Sequence, residues 1–242
     1  MIDLPPYPRT LHLGDSGGGT SKHHCPFEDV AGLHLVVEEK VDGSHCGLGF
    51  DEHAELHIFT RNTVLTDPYP RDFVPLAELS QVHTDALWEV LGDRYVLYGE
   101  WAYATHSIFY DALPAYFLED DIFDRTAGRF LSTSSRRPIA SKLPPGFDHA
   151  VEVLHEGPVH DLETLHALVG ASHYKSAAWR EACSDAPAVE DSDAMEGLYI
   201  KVETEEFVER RLKWIRPTFL QHIEGSAHWR QQPMLQNVLR SE

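Results

Sequence analysis

The sequence predicts an α+β domain built on antiparallel sheets, and three observations lead there. Short apolar runs of strand length recur along the chain, segments of helical period interrupt them, and the two never settle into a regular βαβ alternation. In 242 residues, 42% hydrophobic and 24% charged content are ordinary for a globular protein and suffice for a core. A single domain over residues 1–242 is expected, with a loop-rich segment at 1–31 and a short helical tail at 217–242.

The first 31 residues read as loop because Gly17-Gly18-Gly19 and several prolines punctuate them. Leu33-His34-Leu35-Val36-Val37 reads as a strand running into Glu38-Glu39-Lys40-Val41-Asp42-Gly43. Residues 45–50 and 55–60 form two further strands, with Asp51, Glu52 and His53 at the turn between them. Leu76, Leu79, Val82, Leu87 and Leu91 recur near helical spacing, and Gly92 stops that helix. Tyr95-Val96-Leu97-Tyr98 is a buried strand ending at Gly99-Glu100, and residues 115–123 make another. Serines, two arginines and three prolines make residues 132–147 a long loop. Residues 162–169 and 175–183 read as helices, the first with Asp161 as its N-cap. An acidic loop at 190–193 precedes a final strand pair, 198–203 and 207–215.

Composition narrows the function classes. The net charge of −19 argues against a protein that coats nucleic acid non-specifically, since neutralised phosphates supply that affinity. A local basic groove stays open, because Arg210-Arg211-Leu212-Lys213-Trp214-Ile215-Arg216 concentrates cations on one segment. Cys25, Cys46 and Cys183 are too few and too widely spaced for a disulfide framework, so a reducing cytoplasm is expected. No apolar run approaches the roughly 20 residues of a membrane span, and residues 1–9 lack the order of a signal peptide. His23-His24-Cys25 and His45-Cys46 lack the repeated paired spacing of a zinc site and read as scattered histidines.

Lys40 carries the chemical interest. A lysine amine, with an ordinary pKa of about 10.4, is a nucleophile only when desolvation or neighbouring cations free it of its proton. Five further segments follow it in order. Arg61 closes the third strand; Glu100 ends Leu97-Tyr98-Gly99-Glu100-Trp101; Phe123 sits between acids in Asp121-Ile122-Phe123-Asp124. Glu196-Gly197-Leu198-Tyr199-Ile200-Lys201 opens with an acid and closes with a lysine, and Arg211-Leu212-Lys213 puts two cations on one strand face. Each also has a plain reading: Glu100 and Glu196 as strand-end and turn acids, Phe123 as a core ring, Arg61 as a surface cation.

These segments together resemble the covalent nucleotidyltransferases, and most closely the ATP-dependent RNA ligases of the phage RNA ligase 2 type. Lys40-Val41-Asp42-Gly43 is similar to their first motif, 97–101 to the third, 119–123 to its aromatic variant, 196–201 to the fourth and 211–213 to the fifth. The resemblance spans roughly residues 7–220 and implies an adenylyltransferase (ATP-grasp-like) fold whose antiparallel sheets flank a nucleotide cleft. It implies Lys40 as the nucleophile that carries AMP and Lys213 as its catalytic partner. It further implies nucleotide contacts from Glu39, Asp42, Gly43, Arg61, Glu100, Phe123, Lys201, Arg211 and Lys213, and a magnesium (or manganese) ligand in Glu196. Lys201, Arg211 and Lys213 would neutralise the triphosphate and lower the pKa of Lys40. Arg211 stands where the family usually has lysine. The cofactors implied are ATP and the metal ion. The substrates are RNA ends bearing a 5′-phosphate and a 3′-hydroxyl, with a separate end-healing kinase or phosphatase as partner. DNA ligases and capping enzymes share these motifs but carry an OB-fold, for which the 26 residues after Arg216 are too few. A nucleotide-binding module without ligation is the remaining alternative.

Overall fold

A computed structural model describes residues 7–17, 23–61, 63–183, 189–225 and 233–241. In chain order the strands are β1 (Leu11–Leu13), β2 (His24–Cys25), β3 (His34–Glu39), β4 (Ser44–Phe50), β5 (Leu56–Thr60) and β6 (Val64–Leu65). They continue with β7 (Tyr95–Trp101), β8 (Phe117–Asp124), β9 (Arg129–Phe130), β10 (Val153–Pro158), β11 (Gly197–Glu203) and β12 (Val208–Ile215). The helices are α1 (Val74–Val82), α2 (Thr84–Leu91), α3 (Thr133–Ala140), α4 (Leu162–His166), α5 (Trp179–Ala182) and α6 (Pro217–Gly225).

The strands form two six-stranded sheets, ordered β10-β3-β11-β12-β1-β2 and β6-β5-β4-β7-β8-β9. Pairing is antiparallel, as expected, except at one edge, where β1 runs parallel to β12 and β2 parallel to β1. Each sheet buries one face through the period-two alternation of its strands. In the first sheet Leu35, Val37, Leu198, Ile200, Leu212 and Trp214 share a core. In the second, Cys46, Leu48, Phe50, Leu97 and Ile122 pack under Leu76, Leu87 and Leu91 of α1 and α2. The opposite faces of β3, β11, β12 and β1 stay polar, and register aligns Glu38, Tyr199, Lys213 and His12 side by side across them.

Several local expectations change. The stretch 132–147, expected as loop, contains α3; Ser132 caps it by accepting from the Ser135 N–H, and Pro138 lies inside it. The helix expected over 76–91 breaks at His83 into α1 and α2 before stopping at Gly92, which adopts a positive φ of 51°. The 175–183 helix shrinks to α5, and the 162–169 helix to α4, still capped by Asp161. The N-terminal segment is not all loop, since β1 and β2 extend the first sheet. Gly18 and Gly19 of its glycine run lie outside the described residues, as does Asn62 after Arg61. Among the described residues of the tail, Pro217–Gly225 is helical. Residues 236–239 instead bridge Ala104 and Leu113, anchored by the buried Asn237, which accepts from Thr105 Oγ1 and the Tyr110 N–H and donates to the Ala102 carbonyl. No described helix is long and apolar enough to cross a membrane.

The two sheets meet over a buried ionic network. Arg136 of α3 donates to Glu38 of β3 at 2.7 Å and to Glu119 of β8 at 2.5 Å. Lys201 of β11 lies 2.9 Å from Glu38 and 3.7 Å from Asp121 of β8, and also donates to the Asp120 carbonyl. Arg211 of β12 donates to Asp121 at 2.9 Å, and the Tyr7 hydroxyl shares that carboxylate. Each buried charge here would be costly alone and is tolerable because it is paired. Replacing Arg136 with alanine is therefore expected to remove about 3–5 kcal/mol of stability in urea unfolding, because Glu38 and Glu119 lose their shared partner. Arg137→Ala, one residue on and half-exposed, should leave the unfolding midpoint where it is.

Candidate active site

A cleft of about 700 Å³ opens between the polar face of the first sheet and residues on β4, β7 and β8 of the second. Lys40 follows β3 directly, its N–H held by the Gly197 carbonyl, so the strand delivers the side chain to the cleft wall. Its Nζ lies 2.7 Å from Glu196 Oε2. Gly43 sits two residues before β4's first cleft-facing histidine and is there for space. A Cβ at this position would come within 2.8 Å of the Trp101 carbonyl and 3.1 Å of Glu100 Cγ.

The cleft has two chemically different ends. On one side of Lys40, Lys213, Arg61, Arg9, Thr10, His12 and His23 line the wall. Burial lowers the pKa of Lys213, and Lys40, Arg61 and Arg9 lower it further. Burial, Lys213 and His24 bring His12 down to about 4, so its ring is neutral at physiological pH. On the other side stand Glu100, His45, Asp120, Tyr7 and Tyr199. Burial pushes Glu100 up to about 7, while His45 and Lys40 pull it back. Burial pushes Glu196 up to about 7 as well, against the pull of Lys40.

Lys40 does not behave as its sequence context suggests. Burial pulls its pKa down, but Glu196, Glu100 and Asp42 outweigh that and hold it above the ordinary lysine value. The expected lowering by neighbouring cations is thus reversed in this arrangement, because carboxylates rather than cations sit nearest the amine.

The other expected site residues divide into three groups. Arg61, Glu100, Gly43 and Lys213 line the cleft beside Lys40, with Glu196 against the amine. Glu39 and Asp42 frame the site. The Glu39 carboxylate accepts from Ser172 Oγ and from the His173 N–H, while Asp42 Oδ2 accepts the N–H groups of Ser107 and Ile108. Lys201, Arg211 and Phe123 do not line the cleft at all. Lys201 and Arg211 are consumed by the ionic network below it, and the Phe123 ring packs edge-on against Phe130 at 4.9 Å. Stacking of a base on Phe123 and phosphate contact from Lys201 or Arg211 therefore have no geometric support.

Sequence reading gives no site role to Tyr7, Asp120 and Tyr199 and sets His45 aside as a scattered histidine, yet all four line the cleft. His12, read within Arg9-Thr10-Leu11-His12-Leu13 as a polynucleotide contact, lines it too. Two of these were within reach of strand alternation: Tyr199 lies opposite both Glu38 and Lys213, and His45 opposite Glu100. Cys25 and Cys46, next to histidines in sequence, are buried in the two cores.

Solved structures of Naegleria gruberi RNA ligase share this fold. A variant of that ligase with ATP and Mn is 19% identical, with a TM-score of 0.56 over 80% of this chain and 53% of that one. A variant with AMP and Mn gives the same identity, coverage and score, and the ligase with PPi is 18% identical at 0.56 over 82% and 54%. The chain therefore spans about half the length of the ligase it matches. No curated protein matches it by sequence. The RNA ligase family model matches residues 33–215, from the start of the lysine strand to the end of the last cleft strand, and the chain belongs to that family.

Proposed function

We propose that this protein joins RNA ends at the expense of ATP, through AMP carried on Lys40. The observation that carries the reading is the position of the Lys40 amine. It sits in a nucleotide-sized cleft, against Glu196, between a cationic end and an end lined by rings. The Naegleria structures hold ATP, AMP or PPi, the ligand class that this reading requires.

The residues fit such a ligand by their chemistry. Glu196 and Glu100 offer hard carboxylate oxygens suited to magnesium or manganese, directly or through water. A divalent ion held there supplies positive charge beside the phosphates and offsets the carboxylates that keep Lys40 protonated. Lys213, with Arg61 and Arg9, takes the negative charge of the outer phosphates, and Glu100 accepts from the ribose hydroxyls.

Lys40 Nζ, once free of its proton, attacks the α-phosphorus; a P–N bond forms, the bond to the bridging oxygen breaks and pyrophosphate leaves toward Lys213. The RNA 5′-phosphate then displaces Lys40 from the AMP, and a 3′-hydroxyl attacks the activated 5′ end, releasing AMP. Such a reaction serves RNA repair, with the ends prepared by a separate kinase or phosphatase.

Incubation with [α-³²P]ATP and magnesium should place acid-labile label on the wild-type chain and none on Lys40→Ala. Unlabelled wild type would leave only a nucleotide-binding module. Lys213→Ala should slow labelling by roughly 10²–10³-fold, the usual cost of removing one positioned charge. Glu196→Gln should shift Lys40 the other way before any nucleotide is added. With its nearest carboxylate neutralised the amine pKa falls, so the pH midpoint for acylation of Lys40, read by mass spectrometry, moves down. A midpoint that stays put or rises would contradict this electrostatic account.

A further inference from the structure

Asp120 and His45 hold an unusual position at the ring-lined end of the cleft. β8 pairs with β7 in register, but Tyr98 faces Asp121 and Gly99 faces Glu119, so Asp120 is left between them without a partner in β7. It is the extra residue of a β-bulge, a device that re-aims a side chain out of a regular strand. Glu119 and Asp121 on either side enter the buried ionic network, whereas Asp120 lines the cleft. His45 reaches the same place from β4, with its ring 4.0 Å from that of Tyr7.

The two side chains touch without satisfying each other. His45 Nε2 lies 3.3 Å from Asp120 Oδ2, yet neither His45 Nε2 nor Asp120 Oδ1 has a hydrogen-bond partner among the described residues, and both atoms are buried. Asp120 is only 7% exposed, and a buried polar group with unused capacity is expensive unless something completes it. The neighbours indicate what could. Glu100 lies opposite His45 across β4 and β7, and Lys40 acts on the same carboxylate. Tyr7 and Tyr199 both feel Asp120. Glu100 thus links the Lys40 end of the cleft to His45 and Asp120, with the Tyr7 ring against His45 and the Tyr199 hydroxyl against that of Tyr7. A nucleotide with its α-phosphorus at Lys40 and its ribose at Glu100 brings its base to that pair.

We infer that Asp120 and His45 read the base and select a 6-aminopurine. Asp120 accepts a hydrogen bond from the exocyclic amino group, and His45 Nε2–H donates to the neighbouring ring nitrogen. Adenine presents this adjacent donor and acceptor, N6–H beside N7, on one edge. The inference rests on the nucleotide reading above and adds the residues that set its base preference.

Calorimetric binding of nucleoside monophosphates to the full chain tests it without turnover. Wild type should bind AMP about tenfold or more tightly than purine riboside 5′-monophosphate, which has the same ring and no amino group. Asp120→Ala should close that gap by weakening AMP alone. Asp120→Asn, isosteric and still an acceptor, should keep part of it. Since the Asp120 side chain is outside the ionic network, both variants should melt with the wild type. Equal binding of the two ligands by wild type, an unchanged gap in Asp120→Ala, or tighter GMP than AMP would each overturn the assignment. The ligand comparison in wild type does so independently of any variant. Failure of every nucleotide to bind would instead remove the nucleotide reading itself, and the base assignment with it.

Discussion

Six buried charges hold the two sheets in register and decide where the cleft can be. Glu38, Glu119 and Asp121 face Arg136, Lys201 and Arg211, so the cluster is neutral as a whole while no member is exposed to solvent. Burial pushes Glu38 and Glu119 upward and their cations pull them back; Arg211 and Lys201 overcome burial at Asp121 and hold it below the usual carboxylate range. Apolar residues of equal volume can hold two sheets together as well. What ionic pairing adds is direction, because a carboxylate on β3 meets a guanidinium on α3 only at one offset. Lys40 is two residues beyond Glu38, so fixing Glu38 fixes the amine.

The same network explains which cations are available for chemistry. Arg211 and Lys213 lie on one face of β12, two residues apart, and on sequence grounds they are equivalent. Position along the strand separates them. Arg211 sits opposite Lys201, beneath Tyr7 and β8, while Lys213 sits opposite Tyr199, where the sheets diverge and the cleft begins. On β12, Arg211 belongs to the scaffold and Lys213 to the cleft. In the buried position Arg211 shares its Nε–H between Asp121 and the Tyr7 hydroxyl.

Much of this was legible in the sequence, for physical reasons that also mark where it stops. β3, β4, β7, β11 and β12 carry patterns that are set locally, and Lys40, Glu100, Glu196 and Lys213 sit at their ends or on them, so sequence alone could single out four residues that meet at one cleft. What failed depended on partners far away in the chain. β1 and β2 are too short to show a period and exist because β12 offers them an edge. α3 has a poor helical composition and is held by Arg136 reaching across to β3 and β8. The bulge in β8 is invisible to a period-two reading. It hands the cleft Asp120 and leaves Phe123, the more conspicuous residue in sequence, packed on Phe130.

The carboxylates around Lys40 impose an order on its chemistry. With Glu196 at 2.7 Å and Glu100 and Asp42 close by, the ammonium form is the stable one, and the nucleophile is stored rather than ready. Adding phosphates alone would deepen that protection, because they bring more negative charge. Only positive charge entering with them relieves it, and the carboxylates that protect the amine are those best suited to receive a hard cation. On the proposed reading, an amine guarded in this way would stay unreactive toward stray electrophiles and would be freed by the nucleotide and cation together. On the same reading, Lys213, Arg61 and Arg9, which line the same cleft, would meet the leaving phosphates, although Lys213 also feels Glu196.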